Sequence, residues 1–373
     1  MAPGAGRPPA GRAVGCAASA ARRGPRDSAP GRGDRDVTGG GGAARSGTAA
    51  GIVSVNGYVP QRIVSNDEIA AWSGAAPEWI VRKTGILERR YAPAGTPTSR
   101  LAVDAARPLL DDEQTRSDIG LLIVATSTPD RPQPSTAVLV QEELGLAYVP
   151  AFDVNAVCSG FLYALTIAEA FIVAHPGLRL ALVIGADKYS AVVDRTDRRT
   201  VSLFGDGAGA ALVGRVPEGY GMAGSSLLAD GAGAAHVHIR GGGTDRPLTP
   251  DRLADGEHLF RMDGRAVREW ALEFVPKAVR RTLDEACVSL SEIDRIVFHQ
   301  GNVRLVEELA TAMGFDREKL ALTAPRYGNT AAASIPITLA AEHARRPLRR
   351  GERVLLASIG GGMTAGSVVL TWY

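Results

Sequence analysis

Three polar side chains stand in otherwise apolar surroundings: Cys158 in NAVCSGFLYAL, His299 in VFHQGNVRL and Asn329 in RYGNTAAAS. An ionised thiol is a nucleophile, an imidazole holds or moves a proton, and a carboxamide donates a hydrogen bond without titrating. Cys158 opens a stretch of helical character. Free backbone N–H groups and the positive helix end there are expected to lower the thiol pKa from about 8.5 toward neutrality. Singly, each residue has a plain structural reading: a cysteine in an apolar segment fills a core, a strand-end histidine is a hydrogen-bonded core group, and Gly-Asn makes a turn. Together, a helix-start Cys, a strand-end His and a helix-start Asn form a nucleophile with two neutral polar partners, a catalytic constellation.

The three lie far apart in sequence, so the fold must gather them. From Gly51 onward, apolar runs of strand length alternate with helical stretches, the pattern of an α/β chain. Strands are expected at 51–55, 119–125, 151–155, 178–185, 208–214, 295–299, 352–359 and 366–372, and helices near 66–73, 136–144, 158–174, 264–286, 303–313 and 331–345. Ser65-Asn66 before DEIAAW reads as a helix cap. A weak internal repeat recurs at 172 or 173 residues: Ile123-Val124 with Ile296-Val297, Thr166-Ile167-Ala168 with Thr338-Leu339-Ala340, Leu182-Val183 with Val354-Leu355. It suggests two similar halves, roughly 51–220 and 221–373, in which Cys158 maps onto Thr330 and His299 onto Thr126. Halves packed about a pseudo-dyad would bring Cys158, His299 and Asn329 to one cleft.

Composition excludes several classes. Of 373 residues 45% are apolar, and no uninterrupted apolar run reaches 18 residues, so a globular chain with a large core and no membrane span is expected. Net charge is +2, but residues 1–50 hold eight Arg against three Asp, leaving −3 on the rest; the body has no bias toward nucleic acid. That Gly/Ala/Arg/Pro-rich segment lacks large apolar side chains and is expected to be a disordered extension without an export signal. Cys16, Cys158 and Cys287 are sparse, odd in number and without CxxC spacing, which argues against disulfides or a zinc site and for a cytoplasmic protein. GDGAGA (205–210) fits a dinucleotide fingerprint in letters only, since it opens a strand rather than a helix. His236 and His238 would share a strand face, but with no third ligand in view no metal is expected.

The words AFDVNAVCSGF, LFGDGAGAALV, HQGNVR, YGNTAAAS and IGGGMTAGSVVL, with EWIVRKTGI near the front, run in order from about Gly51 to the carboxyl end. The chain thereby resembles β-ketoacyl-acyl carrier protein synthase III of the thiolase-like condensing enzymes. The resemblance implies a thiolase-like fold, two similar halves in a five-layered αβαβα arrangement, and a Cys158–His299–Asn329 triad. It implies acyl transfer from acyl-CoA to the cysteine, then decarboxylative condensation with malonyl-acyl carrier protein, with no cofactor beyond these substrates. Backbone N–H groups of Cys158 and Gly361 would form the acyl oxyanion hole. Trp79 and Arg198 would sandwich the adenine of CoA, and Asn302 and Arg304 would meet the pantetheine arm and the carrier protein. Homodimerisation is expected as well.

Departures bear on specificity. Gln133 replaces an aromatic residue that relatives donate across the dimer into the partner's acyl pocket, and Tyr189, Phe204 and Met262 would line that pocket; this argues against a simple acetyl primer and leaves room for a branched or longer one. Thr311-Ala312 stand where some relatives carry a lysine pair that docks the carrier protein, a task Arg265, Arg268 and Arg304 are expected to assume, for fatty acid or polyketide initiation. Two rival readings remain: an acyltransferase on this scaffold serving an alcohol or amine, which Asn329 in place of an acid disfavours, and a noncatalytic partner subunit, which Cys158 disfavours.

Overall fold

The computed structural model describes residues 49–373. The expected extension over 1–50 therefore falls, except for its last two residues, outside the described residues. Those two open the first strand, β1 (Ala49–Tyr58). After the short pair Ile63–Ser65 and Glu88–Arg90, the next strand of this sheet, β2 (Ile119–Ala125, IGLLIVA), is buried along nearly its whole length, as an unbroken apolar run in the middle of a parallel array must be. It pairs in parallel with β3 (Ala151–Val154) and β4 (Leu180–Lys188), whereas β5 (Asp206–Val216) runs antiparallel to both β4 and β1. The resulting order is β1-β5-β4-β2-β3.

A second sheet repeats this plan. Its strands are β6 (Gly221–Ala229), β7 (Arg295–Phe298), β8 (Arg353–Gly360) and β9 (Thr364–Thr371), in the order β7-β8-β9-β6. Here β7 and β8 are parallel and β9 is antiparallel to both of its neighbours, so β6-β9-β8-β7 matches β1-β5-β4-β2.

Helices supply the other three layers. On the outer face of the first sheet lie α3 (Thr98–Ala106) and α4 (Thr136–Leu144), reached after α1 (Asn66–Ser73) and α2 (Pro77–Thr84). Between the sheets run α5 (Gly160–Ala174) and α8 (Ser334–Arg345), and outside the second sheet lie α6 (Gly264–Ala286) and α7 (Val303–Ala312). The layering is αβαβα, and the described residues form a single compact unit. Val157–Ala174 is long and apolar enough by composition to cross a membrane, but Phe161, Leu162, Leu165 and Ile172 spend that apolarity in the core between the sheets.

Local chemistry explains most element ends. Ser65 caps α1 through the Glu68 N–H, and Glu68 returns the bond to the Ser65 N–H, a capping box. GDGAGA opens β5, and its glycines serve packing: a Cβ at Gly209 would lie 2.7 Å from the backbone nitrogen of Ile337 on α8. The repeat needs one correction. Single 3-10 turns, Val157–Ser159 and Ala331–Ala333, precede α5 and α8 and begin at matching left-handed residues, Val157 (φ +48°) and Ala331 (φ +49°). Cys158 is thus the counterpart of Ala332 rather than of Thr330, because the loops ahead of these turns differ in length. The strand β6 escaped the reading of the sequence, since GMAGSSLLA has neither alternation nor β-branched residues.

Candidate active site

Cys158 sits in the 3-10 turn just before α5, partly exposed to a cavity. The preceding Val157 is β-branched with a positive φ, a conformation costing on the order of 1–3 kcal/mol that persists only where surroundings impose it. Here the surroundings are the turn between β8 and β9. A Cβ on Gly360 would fall 2.7 Å from the Ala156 carbonyl oxygen and 2.9 Å from the Ser159 nitrogen, so only glycine admits this approach. The Thr364 hydroxyl donates to the same Ala156 carbonyl at 3.1 Å, and Gly361 lies beside Val157 on the cavity wall.

His299 extends the β7–β8 ladder by one bond, its N–H donating to the Ala357 carbonyl at 2.8 Å. Its Nδ1 is 2.7 Å from the Ser334 hydroxyl at the start of α8, and the Gln300 N–H donates to that same oxygen at 3.3 Å. The hydroxyl can still donate to Nδ1, leaving the ring proton on Nε2; rotated, it accepts from Nδ1–H and leaves Nε2 bare. Asn329 is fixed less ambiguously. Its Oδ1 accepts the Ala331 N–H at 2.9 Å, so Nδ2 is the atom offered to the cavity. Its backbone bonds to Leu203 and Gly205, stitching it to the loop that carries Phe204. A Cβ at Gly301 would meet His299 Nε2 at 2.9 Å and Asn329 Nδ2 at 3.7 Å; glycine there keeps open the space both nitrogens face.

The electrostatics reverse one expectation. Burial pushes the Cys158 thiol up rather than down, the Asp187 carboxylate adds to the rise, and the pull of the cysteine's own backbone N–H does not compensate. The helix start was legible in sequence; the apolar wall and the distant carboxylate were not. Burial also lowers His299 to about 4, so the ring is neutral at physiological pH. A depressed cationic pKa keeps the neutral form as pH falls, so turnover is expected to stay flat between about pH 7 and pH 5. A half-loss centred near 6.5 would contradict a neutral ring. Folding stability should fall with pH across the interval from about 6.5 to about 4, where the unfolded chain takes up a proton that the folded one refuses.

Cys158, His299 and Asn329 line one cavity of about 320 Å³, together with Gly361, Tyr189, Phe204, Met262, Asn302 and Arg304. An outer cavity of about 720 Å³ adjoins it through Met262 and Asn302 and contains Trp79. Trp79 and Arg198 do meet, but directly, with no gap between them: the guanidinium carbon lies over the indole, 5.2 Å from its centroid. A purine would need them to part to about 7 Å, two stacking distances. Asn302 caps α7 through its Oδ1 and reaches the Lys83 carbonyl with Nδ2, while Arg304 reaches the Val81 carbonyl, so both bind the end of α2 to α7. Gln133 is exposed and outside the cavity of its own chain.

The rim differs from expectation too. Arg265 pairs with Glu269 at 2.9 Å, Arg268 with Glu308, and Arg304 with Glu307 at 3.1 Å, so none of the three is an uncompensated charge. His238 lies on the short strand Val237–Ile239 but His236 ends the preceding turn, and among the described residues no cluster of three metal-ligating side chains occurs.

Sequence reasoning missed Ser334, Gln300 and above all Asp187, a fully buried aspartate in an unremarkable GADKYS. One of its oxygens accepts from the Ser127 and Thr128 N–H groups and from the hydroxyls of Thr126, Ser127 and Thr128; the other accepts the Ala332 N–H. It ties the ends of β2 and β4 to the Asn329 turn of the other half. Only a strand-end acid beside the serine- and threonine-rich TSTPD hinted at this in sequence.

Two sheets of like topology, central helices that begin at strained turns, and a cysteine, histidine and asparagine around one apolar cavity define a condensing-enzyme scaffold of the thiolase type. Residues 152–231 match the family described as 3-oxoacyl-[acyl-carrier-protein] synthase III, and 283–372 its C-terminal counterpart. An acetoacetyl CoA synthase of Streptomyces sp. (strain CL190) is 44% identical over 86% of this chain and 98% of its own. The β-ketoacyl-[acyl-carrier-protein] synthase III of Caldanaerobacter subterraneus subsp. tengcongensis is 37% identical over 87% and 98%. The crystal structure of synthase III from Thermus thermophilus superposes with a TM-score of 0.79 at 38% identity, covering 87% of this chain and 99% of that one. The chain belongs to the β-ketoacyl-[acyl-carrier-protein] synthase III family.

Proposed function

We propose that this acyltransferase-class enzyme initiates chain synthesis by decarboxylative condensation of an acyl-CoA starter with a malonyl thioester, through an acyl group carried on Cys158. The observation that carries the reading is the meeting of Cys158, His299 Nε2 and Asn329 Nδ2 at one cavity whose remaining wall is largely apolar. In the first half-reaction the sulfur attacks the acyl-CoA carbonyl. Its proton passes through the bare Nε2 tautomer to the departing CoA sulfur, and the N–H groups of Cys158 and Gly361 hold the oxyanion. Between the two, the ring exchanges its Nδ1 proton with solvent for one on Nε2 while the Ser334 hydroxyl turns to donate to Nδ1; in the second half-reaction the malonyl carboxylate leaves as carbon dioxide, and the electron pair it releases forms an enolate whose oxygen accepts from Nε2–H and Nδ2–H. The enolate carbon then attacks the Cys158 thioester, forming the carbon–carbon bond and releasing the thiolate, which is reprotonated. No metal or cofactor enters these steps.

Trp79 of the outer cavity and Arg198, which lies over its ring without lining that cavity, would receive the adenine once parted, and Asn302 and Arg304 would flank the pantetheine arm. The malonyl carrier in this reading is acyl carrier protein. A second reading, malonyl-CoA as extender, is favoured by the pairing of the rim arginines with Glu269, Glu307 and Glu308, which neutralises those three charges toward an acidic carrier. Turnover with malonyl-carrier protein and with malonyl-CoA separates the two: β-ketoacyl product on the carrier protein is expected, and product from malonyl-CoA alone would establish the second reading.

A homodimer is part of the proposal. The edge strand β3 is only half buried, Phe171 and Val173 on the neighbouring α5 are 38% and 44% exposed, and Asp153 of β3 caps α4, holding the Gln133 loop beside that edge. Pairing through this edge would carry Gln133 toward the partner's pocket. A cytoplasmic location fits the sparse, unpaired cysteines.

A further inference from the structure

We infer that Asp187, buried and outside the cavity, is a positioning residue for the condensation step: it anchors the turn to which Asn329 is hooked and so keeps Asn329 Nδ2 aimed at the forming enolate. This rests on the reading of Asn329 as an enolate donor.

The turn Ala331–Ala333 is wedged against one face of β4. A Cβ at Gly185 would fall 2.4 Å from the Ala332 carbonyl oxygen, and two residues further along the strand Asp187 Oδ2 accepts the Ala332 N–H at 2.9 Å. Asn329 Oδ1 takes the preceding N–H, that of Ala331. Between these two N–H groups lies the Ala331 backbone at φ +49°, a conformation that an alanine keeps only where its neighbours impose it. Without the carboxylate, the buried Ala332 N–H would lack an acceptor, and Ala331 would be free to leave its positive φ. The Ala331 N–H would then turn, drawing Asn329 Oδ1 with it and swinging Nδ2 off the cavity.

The two halves of the molecule sharpen the point. Ala332 is the counterpart of Cys158, whose N–H the proposed reaction gives to the acyl oxyanion. In the second half the equivalent donor is given instead to an anion built into the chain. That anion is held firmly. Oδ1 accepts five bonds from Thr126, Ser127 and Thr128 at the end of β2, which leaves Oδ2 for Ala332. The Thr128 hydroxyl accepts the Lys188 N–H at 2.8 Å, so its own proton goes to Oδ1. Donors on every side suit an ionised carboxylate: burial pushes its pKa up, and these bonds pull it back.

Asp187→Asn tests this with almost no change of size. Its carboxamide must keep the oxygen toward the donors at the end of β2, which turns the NH2 against the Ala332 N–H and breaks that bond alone. Acyl-enzyme formation is read by mass spectrometry of intact protein after rapid quenching, and condensation by steady-state kcat and KM for the malonyl thioester. The kcat for condensation should fall about 100-fold, the lower end of what loss of such a donor costs. The KM and the acylation rate should stay within about threefold of wild type. In an Asn329→Ala background the same replacement should cost less than about threefold, because the group it positions is already gone. Should Asp187→Asn fail to fold, Asp187→Ser, which withdraws the acceptor without opposing the N–H, is read in the same way. Equal losses in the two half-reactions, condensation within about threefold of wild type, or a loss that stays near 100-fold in the Asn329→Ala background would overturn the inference. An Asn329→Ala variant that condenses at the wild-type rate would instead bring down the enolate reading beneath it.

Discussion

Cys158→Ala should leave the protein unable to hold an acyl group and slow product formation by about 10⁴-fold or more, the scale on which enzymes lose a covalent nucleophile. The structure makes this a clean experiment. Cys158 packs at the edge of an aromatic cluster without being sealed into it, so alanine leaves only a small gap next to an existing cavity. The turn is secured by backbone contacts with Gly360 and by Thr364, none of which involves the sulfur. Radiolabelled acyl-CoA, followed by denaturation and gel separation, reads the covalent step; a thermal melt beside wild type verifies the fold. Label that persists at wild-type stoichiometry in the alanine variant would remove Cys158 from the chemistry.

The second large effect separates the half-reactions. Asn329→Asp keeps the oxygen that accepts the Ala331 N–H, so the turn survives, but it places a carboxylate where an enolate oxygen must form. Loss of one donor in such a hole costs about 100- to 1000-fold, and added negative charge deepens the loss. Condensation should fall by at least about 10³-fold while acylation falls by less than about tenfold, because Asn329 has no part in the first half-reaction. His299→Ala should show the same asymmetry with a larger acylation loss, since the imidazole also relays the thiol proton. Burst measurements of acyl-enzyme formation against steady-state product formation give the two rates; equal losses in both would contradict an enolate role for this pair.

What could be read in the sequence was the part governed by local pattern. IGLLIVA gave β2 at its true bounds, and the long amphipathic run after Asp263 gave α6, because burial and periodicity are written in consecutive residues. The αβαβα layering followed from the resemblance and is what the strand orders display. Residues that depend on non-local partners were misjudged or overlooked. The thiol of Cys158 was expected to be acidic from its helix start, yet Asp187 and an apolar wall, brought in by other strands, decide the direction. Arg268 was expected to dock the carrier protein, but its partner Glu308 lies 40 residues further along the chain, on α7, and only the fold brings the two together. Ser334 was visible as a letter, but its bond to His299 spans 35 residues and needed the α8 start to be placed against β7.

The proposed chemistry turns on a thioester formed at one sulfur and consumed by a carbanion generated beside it. Trapping wild-type enzyme with a short acyl-CoA, isolating the peptide that contains Cys158, and adding a malonyl thioester to a parallel sample tests this directly by mass spectrometry. The peptide should carry the acyl increment, and the malonyl donor should discharge it with one carbon dioxide released for each β-ketoacyl product. An increment on another residue, or one discharged as an ester or amide without carbon dioxide, would contradict condensation at Cys158.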